Sequence, residues 1–226
     1  MKSIVLLSSG LDSTVAFKEA YSRCDETLCV TFDYGQRARE REIEYAKTIC
    51  EHFHVGHIVI ELPWYGTFRG ALTNGEELPK ISSGDLDNKN IAKYSAEKVW
   101  VPARNIVFLS IAAAIAENYK YDVIVAGFDA EEAATFPDNT NEFVERFNET
   151  LKLGTLSQPR VYAPLISLDK TEIVKKGIGI DAPMEWSWSC YEGKEKPCGV
   201  CESCLRRERA FENAGVKDPL LVRLGN

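Results

Sequence analysis

The chain has 226 residues, 45% of them hydrophobic and 27% charged, with a formal net charge of −7. This is ordinary globular composition, which excludes disordered, collagenous and coiled-coil classes, and no apolar run reaches the roughly 18 residues of a membrane span. The acidic balance argues against a protein that grips nucleic acid through its phosphates, since the one basic run, Arg37 to Arg41, is offset by Glu40, Glu42 and Glu44.

Lys2–Leu7 is a short apolar run without a signal-peptide cleavage pattern, so a soluble, cytoplasmic protein is expected. It reads as a buried parallel strand, followed by Ser-Ser-Gly and a helix over Asp12–Arg23. Glu26–Phe32 is a second strand, Arg39–Phe53 a helix with one apolar face, and His57–Leu62 a third strand. Residues 63–98 break this rhythm with Pro, Gly and Asn-Gly signals and read as a long lid or binding loop. Beyond it lie a helix over Asn105–Tyr119, a strand over Asp122–Ala126 and a helix over Asn139–Leu153. A short strand at Val161–Leu165 comes next, then a helix over Asp169–Lys176 closed by Gly177, and a last helix over Leu205–Asn213 closed by Gly215.

Alternating strands and helices predict an α/β fold, a parallel sheet with helices on both faces. The division expected is a main domain over 1–185 and a C-terminal segment over 186–226. In such sheets ligands bind beyond the carboxyl ends of the strands. That rule selects the loops Ser8–Ser13, Asp33–Arg37, Pro102–Asn105 and Gly127–Asn139.

Four of the seven cysteines, Cys190, Cys198, Cys201 and Cys204, form a C-x7-C-x2-C-x2-C cluster. Short spacings of this kind let four thiolates converge on one ion, a structural zinc or an iron–sulfur cluster. A shell of four thiolates leaves zinc no open position for water, so its role there is structural. Gly199 suits the tight turn between ligands. Cys24, Cys29 and Cys50 read as small core hydrophobes.

The loop Ser8-Ser9-Gly10-Leu11-Asp12-Ser13 joins the first strand to a helix. Unpaired N–H groups at the helix start and serine hydroxyls suit a phosphate, while Asp12 suits a magnesium ion or a helix cap. The Gly-Lys-Ser/Thr ending of a Walker A loop is absent, and so is G-x-G-x-x-G.

Ser-x-Gly-x-Asp-Ser resembles the PP-loop of the ATP pyrophosphatases. Taken with Thr31–Arg37 (TFDYGQR), Val101–Asn105 (VPARN), Phe136-Pro137-Asp138 and the cysteine cluster, the chain resembles the 7-cyano-7-deazaguanine synthase family from Ser3 to about Arg207. The resemblance implies an adenine nucleotide alpha hydrolase-like domain that acts as a ligase. It would convert 7-carboxy-7-deazaguanine, ammonia and Mg-ATP into the 7-cyano compound through adenylated intermediates and an amide. It further implies a homodimer, queuosine or archaeosine as the destination, and zinc on the four cysteines.

Carried over residue by residue, Leu7, Ser8, Ser9, Gly10, Leu11, Asp12, Ser13 and Thr14 would hold ATP and its Mg2+. Asp12, Ser13, Arg37 and Arg104 would be catalytic, and Asp33, Arg104 and Asp138 would hold the substrate. Asp129, Glu131 and Glu132 crowd one loop, where one carboxyl could act as a base or the three could simply form a solvated acidic loop. Phe32, Tyr34, Phe128 and Phe136 could stack on a flat base or simply pack the core.

Three positions depart from the family's usual pattern. Ser9 and Ala103 replace glycines, at small cost if their backbone angles are ordinary, and Thr140 replaces an arginine, which bears on the choice of carboxylate. Alternatives are another PP-loop enzyme, such as a tRNA thiolase or lysidine synthase, and a nucleotide-binding module without turnover.

Overall fold

The computed structural model describes residues 1–225. Five strands form one parallel sheet in the order β3-β2-β1-β6-β7: β1 (Lys2–Leu6), β2 (Glu26–Asp33), β3 (Gly56–Glu61), β6 (Val123–Val125) and β7 (Arg160–Tyr162). A separate two-residue ladder joins β4 (Arg69–Gly70) to β5 (Asn74–Gly75). The predicted strands are present, with β7 shorter than the run over 161–165 suggested.

Neighbouring strand residues point to opposite faces, and each face has its own core. On one side Ile4, Val30 and Ile124 pack under α4 (Arg104–Tyr119) and α6 (Asn141–Gly154) through Leu109, Ala112, Val144 and Phe147. On the other, Val5, Cys29, Val123 and Val125 pack under α1 (Leu11–Arg23), α2 (Arg39–Phe53) and α7 (Lys170–Gly179). The expected apolar face of α2 supplies Ala46, Ile49 and Cys50 to this second core, with Phe53 packed against it.

The segment 63–98 is more ordered than its composition suggests. It holds 3-10 turns at Pro63–Thr67 and Ser83–Asp85, and most of α3 (Lys89–Val99), whose start is capped by the Asn88 side chain accepting from Asn90 N and Ile91 N. The expected loop Gly127–Asn139 likewise contains α5 (Ala130–Ala133), capped by Asp129, and a 3-10 turn at Pro137–Asn139. Helix α7 runs through Gly177, which packs against Met184 Sδ and Val15, and ends two residues later.

The C-terminal segment carries α8 (Glu202–Ala214), closed by Gly215 at φ 72°, and α9 (Pro219–Arg223). Ala210 and Phe211 of α8 join the core of α1 and α7, while Trp188, Cys190, Cys201, Cys204 and Leu220 make a third cluster with Ala38 and Tyr45. No single helix among the described residues is long and apolar enough to cross a membrane.

Candidate active site and cysteine cluster

The chain winds outward from β1 through β2 to β3, then crosses back to β6 on the other side of β1. This reversal opens a crevice beyond the carboxyl ends of β1 and β6. A cavity of about 280 Å³ occupies it, lined by Ser8, Gly10, Asp12 and Ser13 at one wall and by Tyr34, Gln36, Glu42 and Arg104 at another.

The serine loop is internally braced. Ser13 Oγ donates to Gly10 O at 3.1 Å and lies 3.1 Å from Ser8 Oγ, which accepts from Gly10 N at 3.3 Å. The sharp turn falls on Ser9 (φ 57°), not on Gly10, whose φ is −56°. Ala103 is left-handed as well, at φ 54°. The condition under which these two replacements would cost little is therefore not met: both side chains sit where a Cβ is strained, by about 1–2 kcal/mol each. Ser9 is fully buried, its Oγ has no partner, and it does not line the cavity.

Thr14 is also buried away from the cavity and donates to Ser9 O at 3.3 Å, while Leu7 and Leu11 line the cavity's apolar floor. From the far end of the chain, Trp188 N donates to the same Ser9 carbonyl at 2.7 Å. Gly127 lies so close under the helix start that a Cβ there would meet Ser13 N at 2.7 Å.

Asp12 does not cap its helix, since α1 has no side-chain cap. Its Oδ2 accepts from Lys170 Nζ at 2.7 Å, and its buried Oδ1 has no partner. The same ammonium reaches Asp129 at 2.8 Å and Glu132 at 3.1 Å. Burial alone would lower the Lys170 pKa, but Asp12, Glu132 and Asp129 outweigh it and hold the group well above its ordinary value. Burial, with Asp12 and Glu132 nearby, pushes Asp129 up to about 7.

Two of the crowded carboxylates foreseen in the sequence thus share one buried cation with Asp12. The third, Glu131, pairs with Arg206 at 2.9 Å. Lys170 carried no sequence signal: it lies 158 residues from Asp12, at the start of an unremarkable helix.

Arg104 opens α4 and donates to Tyr34 Oη at 3.3 Å, on the cavity wall that also carries Asp138. Burial raises the Asp138 pKa against the pull of Arg104, and Asn139 Nδ2 donates to it at 3.1 Å. Arg37 lines the cavity too, but its guanidinium donates to Glu76 O and lies 4.0 Å from Glu192, fastening the segment after β3 and the cysteine segment. Asp33 is not brought to the cavity; its Oδ1 accepts from Gly35 N at 3.0 Å and shapes the turn after β2.

Thr140 likewise faces away. It caps α6, accepting from Phe143 N at 3.1 Å. Phe32, Tyr34, Phe128 and Phe136 all line the cavity, with Phe32 stacked on Phe108 at 4.0 Å and Phe136 nearly parallel to Trp100 at 5.9 Å.

The sulfurs of Cys190, Cys198, Cys201 and Cys204 all lie within 4.8 Å of one another, with Cys198 and Cys204 4.0 Å apart. A tetrahedral ion with bonds of about 2.3 Å needs sulfur separations of about 3.8 Å, which this cluster closely approaches. Backbone N–H groups of Glu192 and Cys198 donate to Cys190 Sγ at 3.3 Å, and Cys201 N donates to Cys198 Sγ at 3.3 Å. Such donors favour thiolate over thiol, so the donor set fits a metal. Gly199 takes φ 72° in the turn between ligands, as its position suggested.

Arg207 ties the segment together. It grips Asp218 through two bonds of 2.6 and 2.8 Å and donates to Ser187 Oγ at 2.8 Å.

A family model described as queuosine biosynthesis protein QueC matches residues 2–215. The chain is 49% identical over 230 residues to the 7-cyano-7-deazaguanine synthase of Methanosarcina mazei, with all of both chains covered. It is 47% identical over 219 residues to that of Pelotomaculum thermopropionicum, covering 96% of this chain and 99% of the relative. Among solved structures, the U34-tRNA thiolase NcsA of Methanococcus maripaludis aligns with 95% of this chain and 67% of its own at 14% identity and a TM-score of 0.49.

Proposed function

Because the chain belongs to the family of the queuosine biosynthesis protein QueC, we propose that it converts 7-carboxy-7-deazaguanine and ammonia into 7-cyano-7-deazaguanine at the expense of two ATP. The observation that carries this reading is the crevice at the β1/β6 reversal. Its lining brings together a serine loop whose chemistry suits phosphates, an arginine and several aromatic rings.

A carboxylate is a poor electrophile, and making it a nitrile removes two oxygens. Each oxygen becomes a leaving group when it attacks the α-phosphorus of ATP and expels pyrophosphate, and an amide stands between the rounds. Ser8, Gly10 and Ser13, with the N–H groups that open α1, are placed to hold the phosphates. Leu7 and Leu11 support that loop from beneath, while Ser9 and Thr14 shape it from inside.

Mg2+ bound with the nucleotide supplies charge neutralisation, and the partnerless Asp12 Oδ1 is the donor suited to it. Lys170 adds a fixed positive charge beside that loop. Arg104 suits the substrate carboxylate and then the adenylate, since guanidinium pairs with both in a planar fork. Asp138 suits the amidine edge of the deazapurine, and the stacked pair Trp100 and Phe136, too close to admit a base between them, offers it one aromatic face. Arg37 and Asp33 act through the loops they hold.

We assign zinc, in a structural role, to Cys190, Cys198, Cys201 and Cys204. The same reading takes the segment over 186–226 as a metal-organised appendage to the main domain, Asn226 lying outside the described residues. It takes the enzyme as a cytoplasmic homodimer that does not engage nucleic acid.

The deciding experiment is mass spectrometry of the protein with 7-carboxy-7-deazaguanine, ammonium and Mg-ATP. The amide appearing first and the nitrile second, with two AMP per nitrile, is the expected result. ATP cleavage with another acid, and none with this one, would refute the substrate and retain the adenylating chemistry. Metal analysis giving one zinc per chain, without iron or sulfide, tests the cluster, and sedimentation tests the dimer.

A further inference from the structure

The nitrile-forming reaction proposed above releases protons from nitrogen in both rounds. In the first, ammonia attacks the acyl adenylate, the C–O bond breaks with its electron pair leaving on AMP, and the new C–N nitrogen gives up one proton. In the second, the adenylated amide loses one N–H proton to become neutral. It loses another as the C–O bond breaks, AMP departs and the C≡N bond closes. A site for this chemistry needs a base that is not already committed to a cation.

Six carboxylates line the cavity; four of them pair with cations, and a fifth, Asp138, is already assigned to the amidine edge of the substrate. Asp12 and Glu132 pair with Lys170, Glu131 and Glu202 pair with Arg206, and Asp138 is bonded by Asn139. The sixth, Glu42, stands in the first turn of α2 and has no ion pair among the described residues. Its Oε2 accepts from Gln36 Nε2 at 2.8 Å.

Gln36 is itself immobile: it is 3% exposed, its Nε2 also donates to Phe32 O at 3.0 Å, and its Oε1 accepts from Tyr34 N at 2.9 Å. A clamped amide therefore fixes one carboxylate oxygen and leaves Oε1 without a partner among the described residues. The charged groups that act on Glu42 are Arg104 of α4 and Asp33 at the end of β2, with the Tyr34 phenol alongside. Arg104 is the group assigned to the substrate carboxylate, so anchor and base share one wall.

We propose, on the premise of that nitrile-forming reaction, that Glu42, held in place by Gln36, is the base that removes the nitrogen protons in both rounds, passing each to cavity water before the next. Burial raises its carboxyl to about 7, with Asp33 adding to the rise and Gln36 and Arg104 opposing it. That value suits a group that must take up and give back a proton near neutrality.

The test compares ammonia with hydroxylamine as acceptor in wild type, Glu42→Gln and Glu42→Asp. Hydroxylamine is the stronger nucleophile, is largely unprotonated at neutral pH, and depends less on a base. In Glu42→Gln, ammonia-dependent amide formation should fall on the order of 100-fold or more, the size general-base loss typically produces. Hydroxamate formation and the pyrophosphate release that accompanies it should persist, and the rise of kcat with pH near 7 should vanish. Glu42→Asp should be slowed but keep that rise.

Equal losses with both acceptors, or an elevated KM for the carboxylate at unchanged kcat, would overturn the proposal by making Glu42 a binding residue. So would loss of the pH limb in Glu42→Asp, should Glu42→Gln fail to fold. If wild type makes neither amide nor hydroxamate from 7-carboxy-7-deazaguanine, the reaction itself is wrong and the assignment falls with it. If wild type makes both and the variants match it, only the assignment of Glu42 fails.

Discussion

Gly127, two residues beyond β6, lies tight against the first turn of α1. A Cβ at this position would lie 2.7 Å from Ser13 N and 2.9 Å from both Asp12 C and Ser13 Cα, all of them backbone atoms that cannot rotate aside. Restoring the closest of these contacts to an ordinary 3.4 Å requires the start of α1 to move away from β6 by about 0.7 Å, the difference between the two distances.

Gly127→Ala should therefore cost about 1–3 kcal/mol as overpacking. That corresponds to a fall of roughly 4–8 °C in Tm at mid-range, using about 2–4 °C per kcal/mol for a chain of this size. The displaced atoms are the ones proposed to hold the ATP phosphates, and misplacement on the order of 1 Å typically costs about 100-fold in rate. A fall in kcat/KM for ATP of roughly 10- to 100-fold is expected, read by pyrophosphate release.

Gly154→Ala is the control, because no atom lies within 4 Å of the Cβ it would add and its backbone is not left-handed. It should leave activity unchanged and Tm equal or slightly higher. If Gly127→Ala shifts Tm by less than about 1 °C and leaves ATP use intact, the reasoning that this contact sets the loop's position is wrong, since even the low end of the overpacking range moves Tm by more.

Three further outcomes are expected. Ser9→Gly and Ala103→Gly should each raise Tm by a few degrees, since each removes a Cβ from a left-handed position worth about 1–2 kcal/mol; an unchanged or lower Tm would show that the strain is absorbed elsewhere. Cys201→Ser, or treatment with a strong chelator, should lower Tm first and turnover as a consequence. Normal melting with lost turnover would contradict a structural metal. Glu42→Gln should stabilise the fold increasingly as pH rises from 5 to 8. The native carboxyl titrates near 7 and the unfolded one near its ordinary 4.5, so the wild-type residue contributes stability at low pH and loses it as pH passes through 7. The ceiling is about 3.4 kcal/mol, at roughly 1.36 kcal/mol for each pH unit that separates the two titrations. Because the side chain faces cavity water, about 1–2 kcal/mol is the working figure. A Tm difference independent of pH would refute it.

What could be read in the sequence was what depends on neighbours along the chain. The strand–serine loop–helix unit, the cysteine spacing and the apolar face of α2 are local patterns, and the structure has each of them in place. Helix α3 was hidden because Gly and Asn-Gly signals before Lys89 make the whole segment read as loop, although Ser95, Ala96 and Val99 form a buried face. Lys170 could not be singled out because its meaning comes from three carboxylates on two distant loops. Asp33 looked like a ligand for the opposite reason: it stands beside a ligand loop in sequence, yet its carboxylate is used up by the turn it makes. The left-handed angles at Ser9 and Ala103 were invisible because a residue's identity does not reveal a backbone angle that its surroundings force on it.

The bond from Trp188 N to the Ser9 carbonyl joins positions far apart in the order of synthesis. A ribosome that has finished the sheet and all the helices through α7 has still not made the residue that closes the turn, nor the four cysteines that pack with it in one cluster. The turn at Ser9 is therefore closed only by the last fifth of the chain, the part that also carries the four clustered cysteines. If the loop holds ATP as proposed, a chain released before Trp188 lacks one of the bonds that shape it.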